Sequence, residues 1–128
     1  MKSREGVVLI LCDAGGRIAL QLRDDVPDMW GLFGGWMEES ETPEAAAARE
    51  LEEELSVRLD PQRFRLAGTH EEQGRFFAYI YRVMINDDLE GAVLGEGLAW
   101  GFFSGYEISQ MNLLPHHRDM LDLCGSIW

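Results

Sequence analysis

Three glutamates, Glu50, Glu53 and Glu54, stand at i, i+3 and i+4 in a stretch rich in alanine and leucine. At about 100° per residue they share one arc of roughly 100° on a helix. Like charges at these spacings repel one another and cost an isolated helix about a few tenths of a kcal/mol per pair. A divalent cation would relieve that repulsion, and the alternative is a solvated acidic face. What precedes the helix favours the cation. Gly34-Gly35 lets backbone carbonyls approach closely, and Glu38, Glu39 and Glu41 offer further oxygens. Hard cations such as Mg²⁺ bind through a few carboxylates while retaining water. An ion held this way could in turn hold a diphosphate.

The elements that must position these groups are legible. Val7–Cys12 is an unbroken run of Val, Leu, Ile and Cys, and Gly6–Cys12 reads as a buried strand. Asp13-Ala14-Gly15-Gly16 is a turn signal, so Arg17–Leu22 is expected to return as the second strand of a hairpin. Arg23–Met29 reads as a loop, and Trp30–Met37 is apolar but interrupted by Gly31, Gly34 and Gly35. Thr42-Pro43 is a strong helix start, with Thr as N-cap and Pro at the first helical position. Glu44 adds a favourable charge to the first turn. Ala45–Leu55 continues the helix, and Leu51 and Leu55 form the stripe expected to pack on a sheet. Strands are expected over Phe64–His70, Phe76–Ile85 and Ala99–Ser104. An acidic loop is expected over Asn86–Gly97, and a closing helix over Leu114–Cys124. This order predicts an α/β domain with helices packed on a mixed sheet.

Gly35, five residues, Glu41, seven residues, then Arg49-Glu50-Leu51-Glu52-Glu53-Glu54-Leu55-Ser56-Val57 resembles the Nudix box of the Nudix hydrolases. That box runs Gly, five residues, Glu, seven residues, Arg-Glu-aliphatic-any-Glu-Glu-any-Gly-aliphatic, and every charged position is filled here. Ser56 replaces the usual Gly. If the helix ends there in a left-handed conformation, Ser costs on the order of 1 kcal/mol relative to Gly. Ser40 and Phe33 stand at places often held by Gly and Pro.

The resemblance implies a single Nudix hydrolase domain over residues 1–128, an α/β/α sandwich with a mixed sheet flanked by helices. It also implies roles. Glu53, Glu54 and the Gly35 carbonyl would hold Mg²⁺, with Mn²⁺ a possible substitute. Glu50 would bind a metal or its water, or orient the nucleophile. Arg49 would steady a box carboxylate, and Glu41 would bind a further metal or steady the loop. Glu96, in the acidic loop, is a second candidate for a metal-binding or base glutamate. The implied reaction is hydrolysis of a phosphoanhydride in a nucleoside diphosphate derivative or nucleoside triphosphate. The alternative is a Nudix-fold module that senses a nucleotide without cleaving it. Members of the family are often homodimers, and nothing in the residues identifies an interface.

On the substrate side stand Gly34, Gly35 and Arg23, and Arg23 could meet a phosphate or a base edge. Arg23 could equally pair with Asp24, Asp25 or Asp28. Trp30 and Phe33 could stack on a base or belong to the core. His70 lies at a strand end beside Glu71 and Glu72, and His116-His117 opens the last helix. The remaining sequence sets bounds. Eleven Lys and Arg stand against 23 Asp and Glu, a formal charge of −12. That balance argues against duplex nucleic acid or an anionic membrane as the main partner. Residues Glu38–Asp60 hold nine of the acids and only Arg49 and Arg58 as bases. Cys12 and Cys124 form no Cys-x-x-Cys pair, so zinc-finger and thioredoxin-type chemistry are not expected. No EF-hand spacing is present. No stretch has the length of a signal peptide or membrane span, so the cytoplasm is the expected location.

Overall fold

The computed structural model describes residues 4–72, 74–95 and 97–124. Strands β1 (Arg4–Cys12), β2 (Ile18–Leu22), β3 (Trp30–Gly31) and β4 (Phe33–Trp36) come first, followed by helix α1 (Pro43–Leu55). A 3-10 turn at Pro61–Arg63 leads into β5 (Arg65–Glu72) and β6 (Phe76–Met84). Strand β7 (Ala99–Phe103) and helices α2 (Gly105–Ser109) and α3 (Pro115–Leu123) complete the order.

The seven strands form one mixed sheet, ordered β3-β2-β1-β6-β5, with β4 also pairing with β1 and β7 with β2. Strand β1 is central. It runs parallel to β6 and antiparallel to β2 and β4. Its side chains alternate between the two faces, as strand geometry requires. Val7, Leu9 and Leu11 join Leu51 and Leu55 of α1 in one core. Val8, Ile10 and Cys12 join Ile108 of α2 and Met120 and Leu121 of α3 in the other. Both faces are covered, which is why the Val7–Cys12 run is continuous rather than alternating in hydrophobicity. The expected α/β/α sandwich is the observed one.

Helix α1 begins as its sequence predicts. The Thr42 hydroxyl accepts from Ala45 N–H at 3.1 Å, and Pro43 occupies the first helical position. It ends at Ser56 in the left-handed region, with φ 58° and ψ 35°. Ser40 also has a positive φ, 67°.

Two features differ from the sequence reading. Trp30–Met37 contains two short strands, β3 and β4, divided at Leu32. Helix α2 was not expected. Its start carries a reciprocal capping box: the Ser104 hydroxyl accepts from Glu107 N–H, and the Glu107 carboxylate accepts from Ser104 N–H. That Ser-x-x-Glu signature was present in the sequence. Among the described residues, no helix is long and apolar enough to cross a membrane.

Candidate functional site

The candidate site forms where α1 lies across β4 and the end of β2. Gly34 makes the close approach possible. Its φ is 149°, and a Cβ there would sit 2.2 Å from the Val7 carbonyl oxygen. With the backbone pressed against β1, Gly34 N–H donates to Glu54 Oε1 at 2.8 Å. Gln21 Nε2, from β2, donates to Glu54 Oε2 at 2.8 Å. Three segments distant in sequence thus meet on one carboxylate, and Glu54 is buried at 4% exposure. The next residue, Gly35, is pressed against another acid. A Cβ on Gly35 would lie 2.4 Å from Glu50 Oε1 and from its carboxyl carbon. Glu50 is likewise buried.

Arg49 binds the remaining acids together. Its Nε and Nη2 donate to the two oxygens of Glu41 at 2.7 and 2.9 Å, a bidentate pair. Nη1 donates to Glu50 Oε1 at 2.9 Å and to Glu53 Oε2 at 3.2 Å. Nη2 also donates to the Trp36 carbonyl at 3.0 Å. Planar charged forks of this kind fix carboxylate orientation as well as charge. The guanidinium, followed by Glu38 N–H, holds the Glu41 carboxyl below the usual carboxylate range. Its carboxylate partners raise the Arg49 pKa above an already basic value, Glu41 first and Glu50 next.

The three helix acids therefore have unequal settings. Glu50 and Glu54 point inward against the glycine pair. The Glu53 side chain is 56% exposed and meets only the outer edge of the network through Arg49. The box carboxylates surround a guanidinium and are not drawn to a single point. Among the described residues, the only group of three metal-ligating side chains with all ligand atoms within 4.8 Å lies elsewhere, at His70, Glu72 and His116. The box still offers a hard-cation donor set. It is all oxygen, two of its carboxylates are buried, and the Gly35 cradle excludes any side chain beyond hydrogen.

The acidic loop closes the end of α1. Val93 N–H donates to the Leu55 carbonyl at 3.0 Å, and Gly95 N–H to the Glu54 carbonyl at 2.7 Å. These contacts satisfy helix carbonyls that lack intrahelical partners. A Cβ on Gly95 would lie 2.4 Å from the Glu53 carbonyl oxygen, so the loop backbone touches the helix directly. Glu96, the expected second glutamate, lies outside the described residues. A groove of about 460 Å³ beside the network is lined by Glu5, Glu38, Glu41, Glu71 and Phe77. A second cavity of about 490 Å³, lined by Arg63, Arg65 and Arg82, includes none of the box residues.

Other candidates are placed as follows. Arg23 pairs with both oxygens of Asp25 at 3.0 and 2.9 Å, with the Glu54 charge also acting on it. Trp30 packs edge-on against Phe103, and Phe33 is fully buried. His117 Nδ1 accepts from Leu32 N–H at 2.9 Å, tying α3 to the break between β3 and β4, two residues before the glycine pair. Gln21 was not anticipated. Its signal was a single amide in an otherwise apolar strand, Ile18–Leu22.

The family model of the NUDIX domain matches residues 2–124. An RNA pyrophosphohydrolase from Rhodospirillum rubrum is 40% identical over 55 residues, 43% of this chain and 33% of that relative's length. The chain thus spans about a third of the curated relative it matches. A MutT NUDIX hydrolase structure from Burkholderia pseudomallei superposes with a TM-score of 0.77 at 26% identity, covering 96% of this chain and 98% of that one. The E. coli dihydroneopterin triphosphate pyrophosphohydrolase superposes with a TM-score of 0.73 at 18% identity, covering 95% and 96% of the two chains.

Proposed function

This chain belongs to the Nudix family, and we propose that its single domain hydrolyses a phosphoanhydride bond in a nucleoside diphosphate derivative or nucleoside triphosphate, using Mg²⁺ or Mn²⁺. One observation carries the reading. Arg49 gathers Glu41, Glu50 and Glu53 around one guanidinium while Glu50 sits in the cradle left by Gly35. A solvated acidic face has no need of buried glutamates, and here two of them are buried. Two of the three matched proteins are named pyrophosphohydrolases, which points to the same bond type.

In this reading Glu53, Glu54 and the Gly35 carbonyl would hold the divalent ion, Glu50 would bind a metal or its water, and Glu41 would bind a further metal or steady the loop. When bound, that ion neutralises phosphate oxygens, acts as a Lewis acid and lowers the pKa of an attacking water. The chain does the rest. Gly34 N–H and Gln21 keep the Glu54 carboxylate from rotating. Arg49 orients Glu41 and Glu50 and offsets their mutual repulsion. Glu50, buried against Gly35, orients the attacking water or accepts its proton. Glu96 is a second candidate for that proton. Arg23 sits where it could exchange Asp25 for a substrate phosphate.

A nucleotide panel incubated with and without Mg²⁺ and Mn²⁺, with product masses measured, tests the proposal. Turnover that depends on the metal is expected, with the masses showing which phosphorus is attacked. Glu53→Gln is expected to lower kcat by at least about 100-fold. Absence of turnover across the panel with both ions rejects the enzymatic reading. Tight nucleotide binding without product would then identify a sensing module.

A further inference from the structure

We propose a second metal site on the opposite side of the sheet from α1, formed by His70, Glu72 and His116 and suited to Zn²⁺ or a similar borderline divalent ion. His70 and Glu72 are two residues apart on β5, so both point to the same face of the sheet. The register sets His70 opposite Ala78, whose side chain belongs to the core shared with α2 and α3. His116, in the first turn of α3, faces the same point. The ligand atoms of all three residues lie within 4.8 Å of one another.

The distances suit chelation better than hydrogen bonding. Glu72 Oε2 lies 3.8 Å from His70 Nε2 and 3.6 Å from His116 Nδ1. Both exceed hydrogen-bond length. Two donors about 2.1 Å from a tetrahedral ion are ~3.4 Å apart, so the two Glu72 contacts need to close by only a few tenths of an ångström, and the two imidazoles, whose ligand atoms lie within 4.8 Å of each other, would close around the same ion. A second observation points to a ligand. His70 Nε2 is buried and has no hydrogen-bond partner. An unpaired buried nitrogen is costly, and coordination would satisfy it. Phe76 packs edge-on against His116 and near the His70 ring, which restrains both imidazoles.

Ligand chemistry separates this site from the box. Two imidazoles and one carboxylate favour Zn²⁺ and its neighbours, whereas the box is all oxygen and favours Mg²⁺ or Mn²⁺. The site would also have mechanical consequences. An ion bridging β5 and α3 would clamp the last helix to the edge strand, and α3 carries His117, which contacts Leu32.

The test uses the full chain in excess Mg²⁺, with zinc stoichiometry measured by equilibrium dialysis and the melting temperature recorded with and without zinc. Wild type is expected to bind one more Zn²⁺ than His116→Ala and to melt at a higher temperature when zinc is present. His116 is partly exposed, so its replacement leaves the fold intact, which circular dichroism would check. Glu72→Gln is expected to weaken zinc affinity by more than about 100-fold, since it removes a direct ligand. Visible absorption of the Co²⁺-loaded protein should show four-coordinate bands in wild type and lose them in His116→Ala. Equal zinc uptake and equal zinc-induced melting shifts in wild type and His116→Ala overturn the proposal.

Discussion

Glu50 lies against the Cα of Gly35 so closely that a single methyl group would meet its carboxylate at 2.4 Å. The glycine of the box is therefore a space requirement set by an acid fifteen residues later in the chain. Gly35→Ala is expected to swing Glu50 away from Arg49. A misplacement of about 1 Å at a catalytic group costs roughly 100-fold in rate, and overpacking costs about 1–3 kcal/mol of stability. Steady-state kinetics beside urea unfolding would separate the two effects. Wild-type kcat in Gly35→Ala would show that Glu50 does not act from this position.

Arg49 makes directed contacts to three carboxylates and a carbonyl. Lysine would keep the charge but lack the planar fork that spans them. Arg49→Lys is expected to lower kcat by roughly 10- to 100-fold. Because Glu50 is buried, about 1–3 kcal/mol of stability should be lost as well. The same pairing has a pH signature. Glu41 titrates lower in the folded state than in the unfolded chain, so its contribution is present above the unfolded carboxylate pKa and fades as pH falls through the folded one. Acid unfolding of Arg49→Lys should begin at higher pH than that of wild type, and identical acid transitions would contradict this account.

Ser56 closes α1 in the left-handed conformation that glycine adopts at no steric cost. Ser56→Gly is expected to stabilise the protein by about 0.5–1 kcal/mol, a rise of roughly 3 °C in Tm for a chain of this size. Calorimetry would measure it, and a fall in Tm would show that the serine side chain makes a compensating contact.

His117 is a buried hydrogen-bond acceptor. Burial first, then the charges of Arg23 and His116, press its pKa down to about 4 from 6.5. Between those values the unfolded chain binds more protons than the folded one, so stability rises with pH across the window. The contribution is fully present above pH 6.5 and is lost as pH falls toward about 4, on the order of 3 kcal/mol. Urea unfolding at neutral and mildly acidic pH should show a weaker pH dependence in His117→Gln than in wild type. Equal slopes would mean that the imidazole charges as readily in the folded state as in the unfolded one.

Gly95 touches the end of α1 backbone to backbone. Gly95→Ala is expected to lift the acidic loop from the helix and cost about 1–3 kcal/mol. Faster amide exchange at Val93 in this variant would locate the change, and unaltered exchange would show that the loop is held elsewhere.

Local patterns in the chain determined several features by themselves. The i, i+3, i+4 spacing set three glutamates on one arc, Thr42-Pro43 started the helix, and the unbroken Val7–Cys12 run marked a strand covered on both faces. Each follows from steric and periodic rules acting over a few residues. The box motif also carried the fold, since its fixed offsets resemble one family. Tertiary structure decided what periodicity does not encode. It turned Glu50 and Glu54 inward and left Glu53 outside, because β4 crosses beneath one side of the arc and Gln21 reaches in from β2. It gave Arg23 to Asp25 and His117 to Leu32 N–H. It brought His70 and Glu72 to within reach of His116, more than forty residues away. Such pairings depend on which strands become neighbours in the sheet, and that is fixed only when both faces of β1 are buried together.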